Sequence, residues 1–256
     1  MSHDELKALL DEKYDRYCRP EFIEPDPISV PHRFEDALDR EVSGLIAATI
    51  AWGQRPTIVR NANRAMQLMG NEPYRFVMEH SENDLKGLQH FVHRTFNGND
   101  LIAFVKALKH IYSLYLSLQH VFVEGMQTDH SVKHAIHHFR SVFLGSLPPK
   151  RTEKHVSDPM KGSSSKRLNM YLRWMVRPND RGVDFGLWTM IPTAVLSCPL
   201  DVHSGRVARE LGLLQRHQND WTAVEELDRA LRTFDPNDPV KYDFALFGMG
   251  VVDERL

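Results

Sequence analysis

Leu6, Leu9, Leu10 and Tyr14 recur at three- and four-residue spacing in a charged opening, and that period predicts a helix over 3–18. The next stretch, RPEFIEPDPISVPHRF, holds prolines at 20, 25, 27 and 31. Proline and the residue before it both resist helix, so the chain is expected to run extended here. Helical patterns resume over about 36–52, 56–69, 83–91, 100–123, 130–144, 165–177, 204–214, 220–233 and 239–248. Breaks at Gly53, Gly70, Gly98, Gly125 and Pro148–Pro149 separate most of them. Short segments such as AVLSCPL invite a strand, but they do not recur often enough to build a sheet. Two stretches, 145–164 and 178–199, read as loops. There is no internal repeat. The pattern predicts an all-α fold.

Composition adds mainly exclusions. The 256 residues, 42% hydrophobic and 26% charged, suit a soluble chain with a proper core. No apolar run approaches the roughly 18 residues of a membrane span, so no membrane partner is expected. The charged opening does not read as a secretory signal. Two cysteines, Cys18 and Cys198, cannot assemble a four-thiolate zinc site or an iron–sulfur cluster. They fit a reducing, cytoplasmic compartment, and no cofactor is expected.

Charge is more informative, because the net of −2 hides an asymmetry. Between Lys150 and Arg181 nine Lys/Arg face three acidic residues, a local +6 that leaves −8 for the remainder. A basic stretch on an acidic body is expected where one surface meets phosphates; a solvated loop and helix is the plainer explanation.

Two motifs fall in or just beyond that stretch. In SDPMKGSSSKRLNMYLRWMVR, a turn from Gly162 through Ser163 and Ser164 to Ser165 leads directly into a helix near Lys166. A turn that presents backbone N–H groups at a helix N-terminus is a natural phosphate site. Leu168, Tyr171, Leu172 and Met175 form the apolar stripe, leaving Arg167, Arg173 and Arg177 to face phosphate. In CPLDVHSGRVARELGLL, Asp201 opens an amphipathic helix with Val207, Leu211 and Leu214 on one face. Asp there is first of all an N-cap, contributing about 1 kcal/mol.

Together these motifs resemble the helix-hairpin-helix DNA glycosylase superfamily, the endonuclease III-like fold. The hairpin match runs from Gly162 to Lys166. The later match is Leu200, Asp201, Val202, His203, Arg206, Val207, Leu211, Gly212 and Leu213. A third lies in GLIAATIAWGQRPTIV, similar to the family's apolar helix that ends in a Gln-containing turn, which puts Gln54 forward as the residue reaching around an extruded nucleotide. KRLNMYLRWMVR, GVDFGLW and DPVKYDFALFGMGV are similar to an uncharacterised bacterial group related to the archaeal 8-oxoguanine glycosylases. Serine at 164 replaces the usual second hairpin glycine, and the connection from Lys166 to Asp201 is longer than in endonuclease III-like members.

The resemblance implies a two-lobed fold with an active cleft between lobes. Residues 1–35 match none of these motifs and are expected to form an extension packed on one lobe, with 36–145 as a helical lobe, 146–200 as hairpin and basic segment, and 201–256 as C-terminal helices. The expected activity is base excision from damaged double-stranded DNA by a monomer, with 8-oxoguanine the favoured lesion. Cutting a base from its sugar builds oxocarbenium-like charge, which a nearby carboxylate stabilises; Asp201, held ionised at a helix N-terminus, suits that role. A lysine nucleophile must first lose its proton, since a free one has a pKa of about 10.4. Lys166, beside Arg167 and with Asp201 as acceptor, matches the family position; Lys161 and Lys154 are the rivals. Attack would give a Schiff base and then strand cleavage by β-elimination. Without it, Asp201 would activate water and the enzyme would be monofunctional.

Trp52, Phe185 and Trp188 are candidates for stacking on the flipped base, although such residues are more often core. Asp238, Asp243 and Phe244 lie in a segment resembling the helix that closes the base pocket. The remaining contacts expected with DNA are Gln54, Gly162, Ser163, Ser164, Ser165, Arg167 and Arg173. His134, His137 and His138 share a helix face but lack an acidic ligand pair, so no metal is expected. The alternative to an enzyme is a DNA-binding protein that keeps the hairpin without excision.

Overall fold

The computed structural model describes residues 1–145 and 151–251, and these are mostly helical. They divide into two compact units, one built from residues 1–22 and 158–256, the other from 23–157. The N-terminal extension expected over 1–35 is therefore split between units, and the second boundary falls inside the segment 146–200. Of the expected loop 145–164, residues 146–150 lie outside the described residues, as do 252–256 of the C-terminal segment.

The unit spanning 23–157 begins with proline turns. Where an extended chain was expected, Pro20–Phe22, Pro27–Ser29 and Pro31–Arg33 are short 3-10 turns, the first belonging to the other unit. Each proline sits first in its turn, where its fixed φ fits and no N–H is needed. Helices α2 (Ala37–Thr49), α3 (Arg55–Leu68), α4 (Pro73–Glu79) and α5 (Glu82–Gly87) follow. A two-stranded hairpin, β1 (Val92–His93) with β2 (Phe96–Asn97), comes next. The unit closes with α6 (Gly98–Leu114), α7 (Leu118–Met126) and α8 (Val132–Gly145).

The single helix expected over 100–123 is thus two, α6 and α7, and the cause is a buried carboxylate. Glu41 of α2 accepts the Tyr112 hydroxyl and the Leu118 backbone N–H, both at 2.9 Å. Ser117 caps α7 by accepting the Gln119 N–H. A free helix N-terminus is therefore satisfied at the break, and Glu41 gains the donors that a buried charge requires. Among the described residues no single helix is long and apolar enough to cross a membrane.

In the other unit, α1 (His3–Tyr17) begins at a capping box of Ser2 and Glu5 and buries Leu6, Leu10 and Tyr14. After the hairpin come α9 (Lys166–Val176), α10 (Val202–Glu210), α11 (Trp221–Phe234) and α12 (Tyr242–Val251). Helix α12 is apolar on almost every side, and both α1 and α10 pack against it. Gly248 lets α1 approach: a Cβ there would lie 2.2 Å from Cδ2 of Tyr17. Gly250 does the same for α10, where a Cβ would stand 3.0 Å from the His203 carbonyl oxygen. The segment AVLSCPL forms no strand; Thr193–Val195 is a 3-10 turn and the rest is irregular. In place of sheet pairing, Asp228 accepts the Cys198 N–H, and Arg232 donates to the carbonyls of Ala194 and Leu196.

Candidate functional site

Backbone constraints build the hairpin. Asp158 caps the turn Pro159–Lys161 by accepting the Met160 N–H, and Gly162 follows at φ 86°, a conformation that favours glycine. The Gly162 carbonyl accepts the Trp221 N–H at 3.0 Å, and Ser163 bridges Asp220, so the turn is fastened to the start of α11. Ser163 Oγ accepts the Ser165 N–H, while the Ser164 carbonyl accepts Nδ2 of Asn169 at 3.0 Å. Ser165 is the second left-handed residue, φ 48°, and its side chain does not cap α9. The first-turn N–H groups of α9 thus have no capping side chain, although the chain is fixed around them.

Lys166 opens α9 and Asp201 caps α10, and the two helix starts meet: Nζ of Lys166 lies 3.1 Å from Oδ2 of Asp201. Their side chains are 29% and 15% exposed, so the pair borders solvent. The other oxygen of Asp201 accepts the N–H groups of His203 and Ser204, and Ser204 Oγ accepts the Asp201 N–H in return. Burial pushes the Asp201 carboxyl up, but Lys166 and these donors outweigh it and hold it below the usual carboxylate range. Capping and ion pairing use different oxygens of one carboxylate.

Arg167, next on α9, is half-buried, and burial lowers its guanidinium to about 10. Lys161 and Lys154 are exposed. Arg173 and Arg177, expected to face phosphate, are instead buried in the unit's interior. Arg173 pairs with Asp243 through Nη1 and with Asp184 at 3.3 Å, and stacks over the Phe244 ring at 4.2 Å. Arg177 pairs with Asp184 at 2.7 Å and Asp238 at 2.7 Å and donates to the Tyr14 hydroxyl at 3.0 Å. Buried guanidinium groups need such partners, and long side chains at these positions have no route to the surface.

The residues expected to line a base pocket are similarly occupied. Phe185 and Trp188 are buried, their N–H groups donating to the carbonyls of Trp174 and Met175, and the Trp188 ring meets Tyr171 edge-on. Phe244 is fully buried under Arg173, Asp243 is buried, and Asp238 grips Arg177. In the unit spanning 23–157, Trp52 is half-buried, edge-on to His93 and stacked on His155. Gln54 is exposed at the start of α3, where its carbonyl accepts the N–H groups of Thr57 and Ile58. His134 pairs with Asp129 and His138 lies near Glu124, and no metal-binding cluster occurs among the described residues.

Sequence reasoning missed Asn169, Asp184 and Cys198. A signal existed for the first: Ser165, Asn169, Arg173 and Arg177 stand four residues apart and trace one polar line along a buried helix.

Residues 26–252 match the model of a family described as a protein of unknown function, DUF2400. The chain belongs to the DUF2400 family. That match takes in the hairpin, Lys166, Asp201 and the whole polar line of α9, whereas α1, which supplies Tyr14 to Arg177, precedes it. No curated protein and no solved structure matches the chain.

Proposed function

We propose that this DUF2400 protein is a helix-hairpin-helix DNA glycosylase with lyase activity, which removes an oxidised purine, 8-oxoguanine above all, from double-stranded DNA. The observation that carries the reading is the 3.1 Å approach of Lys166 Nζ to Asp201 Oδ2 directly after a constrained hairpin. The pair unites an amine with a carboxylate able to take its proton, at the edge of solvent where an extruded sugar could enter. The hairpin before it offers backbone N–H groups and a positive helix end to phosphate. In the unit spanning 23–157, exposed Gln54 at the start of α3 is a DNA contact in its own right.

In this mechanism Lys166 passes a proton to Asp201, and its amine attacks C1′ of the extruded nucleotide. The C1′–N bond breaks with its electron pair on the base, and Asp201 returns the proton to that base. The aminosugar opens to a Schiff base, from which β-elimination cleaves the strand. Asp201, ionised again once the base has taken its proton, faces the positively charged Schiff base, where its charge is most useful.

Borohydride trapping on duplexes carrying 8-oxoguanine, uracil or an abasic site tests the reading. An adduct that disappears in Lys166→Gln is expected. An adduct that survives this change would move the nucleophile elsewhere. Tight binding with neither adduct nor base release would leave a DNA-binding protein, with Asp201 only a helix cap.

A further inference from the structure

Most of the cations between Arg151 and Arg181 are already committed to protein carboxylates. Lys166 is on Asp201, Arg173 and Arg177 share Asp184, Arg151 lies 3.4 Å from Asp100, and Arg181 lies 2.6 Å from Asp15. That stretch offers phosphate little free charge. Uncommitted charge lies instead in the unit spanning 23–157, where the chain carries no acidic residue between Glu41 and Glu72 or between Asp84 and Asp100. These two acid-free stretches hold α3 and the β1–β2 hairpin, and they meet. Nδ2 of Asn61 donates to Nδ1 of His93 at 2.9 Å, and Nε2 of His93 donates to the Trp52 carbonyl at 3.2 Å.

Four exposed arginines gather there. Arg60 and Arg64 stand four residues apart on one face of α3 and, among the described residues, have no carboxylate partner. Arg33 is tethered beside that face by neutral groups: Nη1 donates to Asn63 Oδ1, and Nη2 donates to Asn71 Oδ1 at 3.5 Å. Glu72, the next acid in the chain after α3, is taken by Arg75 at 3.0 Å. Arg94, at the tip of the hairpin, adopts φ 55°. Glycine or asparagine takes that conformation at less cost, so what arginine adds there is its guanidinium. Opposite it stands Gly53 at φ 107°, where a Cβ would lie 2.9 Å from Nη1 of Arg94. Glycine thus leaves room for the guanidinium beside the turn that carries Gln54.

We propose that Arg33, Arg60, Arg64 and Arg94 form a DNA-binding surface separate from the hairpin before α9, on which the phosphate backbone of a duplex lies along α3. The identity of the partner rests on the excision reading; the charge does not. Four residues of helix rise about 6 Å, and the whole of α3 spans about 21 Å, so the charge is drawn out into a line. A line of charge suits a polyanion better than a single anion. Guanidinium groups bind phosphate oxygens in a forked, charge-assisted geometry, and these four need not leave an internal carboxylate to do so. The other exposed residues of α3 are Pro56 and Gln67, so the face lacks the large apolar side chains that anchor a helix in a bilayer.

Fluorescence anisotropy of a labelled, undamaged duplex, titrated with the full chain at several salt concentrations, tests this. Combining Arg60→Gln with Arg64→Gln should weaken binding about tenfold and flatten the slope of log affinity against log salt by about two, close to one per lost phosphate contact. Lysine at both positions should restore the slope. Arg75→Gln, which removes an arginine already held by Glu72 and Glu79, should leave it unchanged. Arg94→Asn should raise Tm and still weaken binding several-fold, an opposition that a merely structural arginine would not produce. A slope unmoved in the double glutamine variant would overturn the proposal. So would a loss confined to phosphatidylserine vesicles, which would make the face a membrane contact. The excision reading fails separately. Duplex affinity lost with these arginines, but no borohydride adduct from the wild type on any lesion, would keep the surface and remove the glycosylase. An adduct with an unmoved slope would do the reverse.

Discussion

The side-chain amide of Asn169 donates to the carbonyl of Ser164 at 3.0 Å, tying the hairpin to the second turn of α9. This bond crosses from the hairpin to a helix buried along most of its length. Replacing it with Asn169→Leu leaves the carbonyl of Ser164 without this donor. The variant should lose about 1 kcal/mol of stability, because a half-buried partner is left without its donor. Its affinity for duplex DNA should fall several-fold, read by fluorescence anisotropy at one fixed salt concentration. Unchanged affinity in a stable variant would separate the hairpin from DNA binding.

Ser165 makes the opposite prediction. It occupies φ 48° with its hydroxyl buried and without a partner, two liabilities that glycine does not share. A left-handed conformation costs a side-chain-bearing residue roughly 1–2 kcal/mol, and glycine's greater freedom in the unfolded chain returns part of that. Ser165→Gly should stabilise the protein by about 1 kcal/mol, a rise in Tm of roughly 2–4 °C. A fall in Tm would mean that the hydroxyl does more than fill space.

Buried Asp228 makes stability depend on pH. Burial raises its carboxyl to about 6, against the Cys198 N–H, the Ser197 hydroxyl and Arg232. The folded protein therefore holds a proton that the unfolded chain, with an aspartate near 3.9, has already released. Stability from this group falls as pH rises from about 4 to about 6 and stays low above that. In Asp228→Asn the side-chain carbonyl can still accept the Cys198 N–H while the charge is gone. Chemical denaturation at pH 7.5 should show a gain of about 1–3 kcal/mol, dwindling towards pH 4.5. Asp243, raised in the same way, keeps part of the slope in the variant.

Gly248 is the contact on which α1 depends. An alanine methyl would enter the Tyr17 ring, and overpacking of this kind costs about 1–3 kcal/mol, more than alanine's better helix propensity returns. Gly248→Ala should lower Tm and speed chymotrypsin cleavage at Tyr17. Adding Tyr17→Ala should recover much of the loss, a non-additivity that marks direct contact.

How much of this could be read from the residue order depends on what kind of fact it was. Helix α9, its hairpin and the cap at Asp201 are local, set by Gly162, the apolar spacing and an Asp before an amphipathic run. The meeting of Lys166 with Asp201 came from resemblance, because periodicity does not say which helix starts are neighbours. The burial of Arg173 and Arg177 went unread for a related reason. Their partner Asp184 lies in a stretch without period, and Asp238 and Asp243 lie more than 60 residues away in the chain. The gap between α6 and α7 has the same origin, since Glu41 reaches it from 77 residues upstream. Arginines spaced for a surface turned inward because enough acids were waiting there.

The pairing of α1 with α12 has a bearing on how the chain is made. Roughly 225 residues separate Tyr17 from Tyr242, so at ribosomal rates α1 waits on the order of ten to forty-five seconds for its partner. The unit spanning 23–157 has all its residues in hand well before then. Leu6, Leu10 and Tyr14 meanwhile form an unmatched apolar stripe on a nascent chain, the kind of surface that a chaperone binds. Within this unit the order of birth is thus the reverse of the order of closure: the earliest of its helices to be synthesised is among the last to be buried.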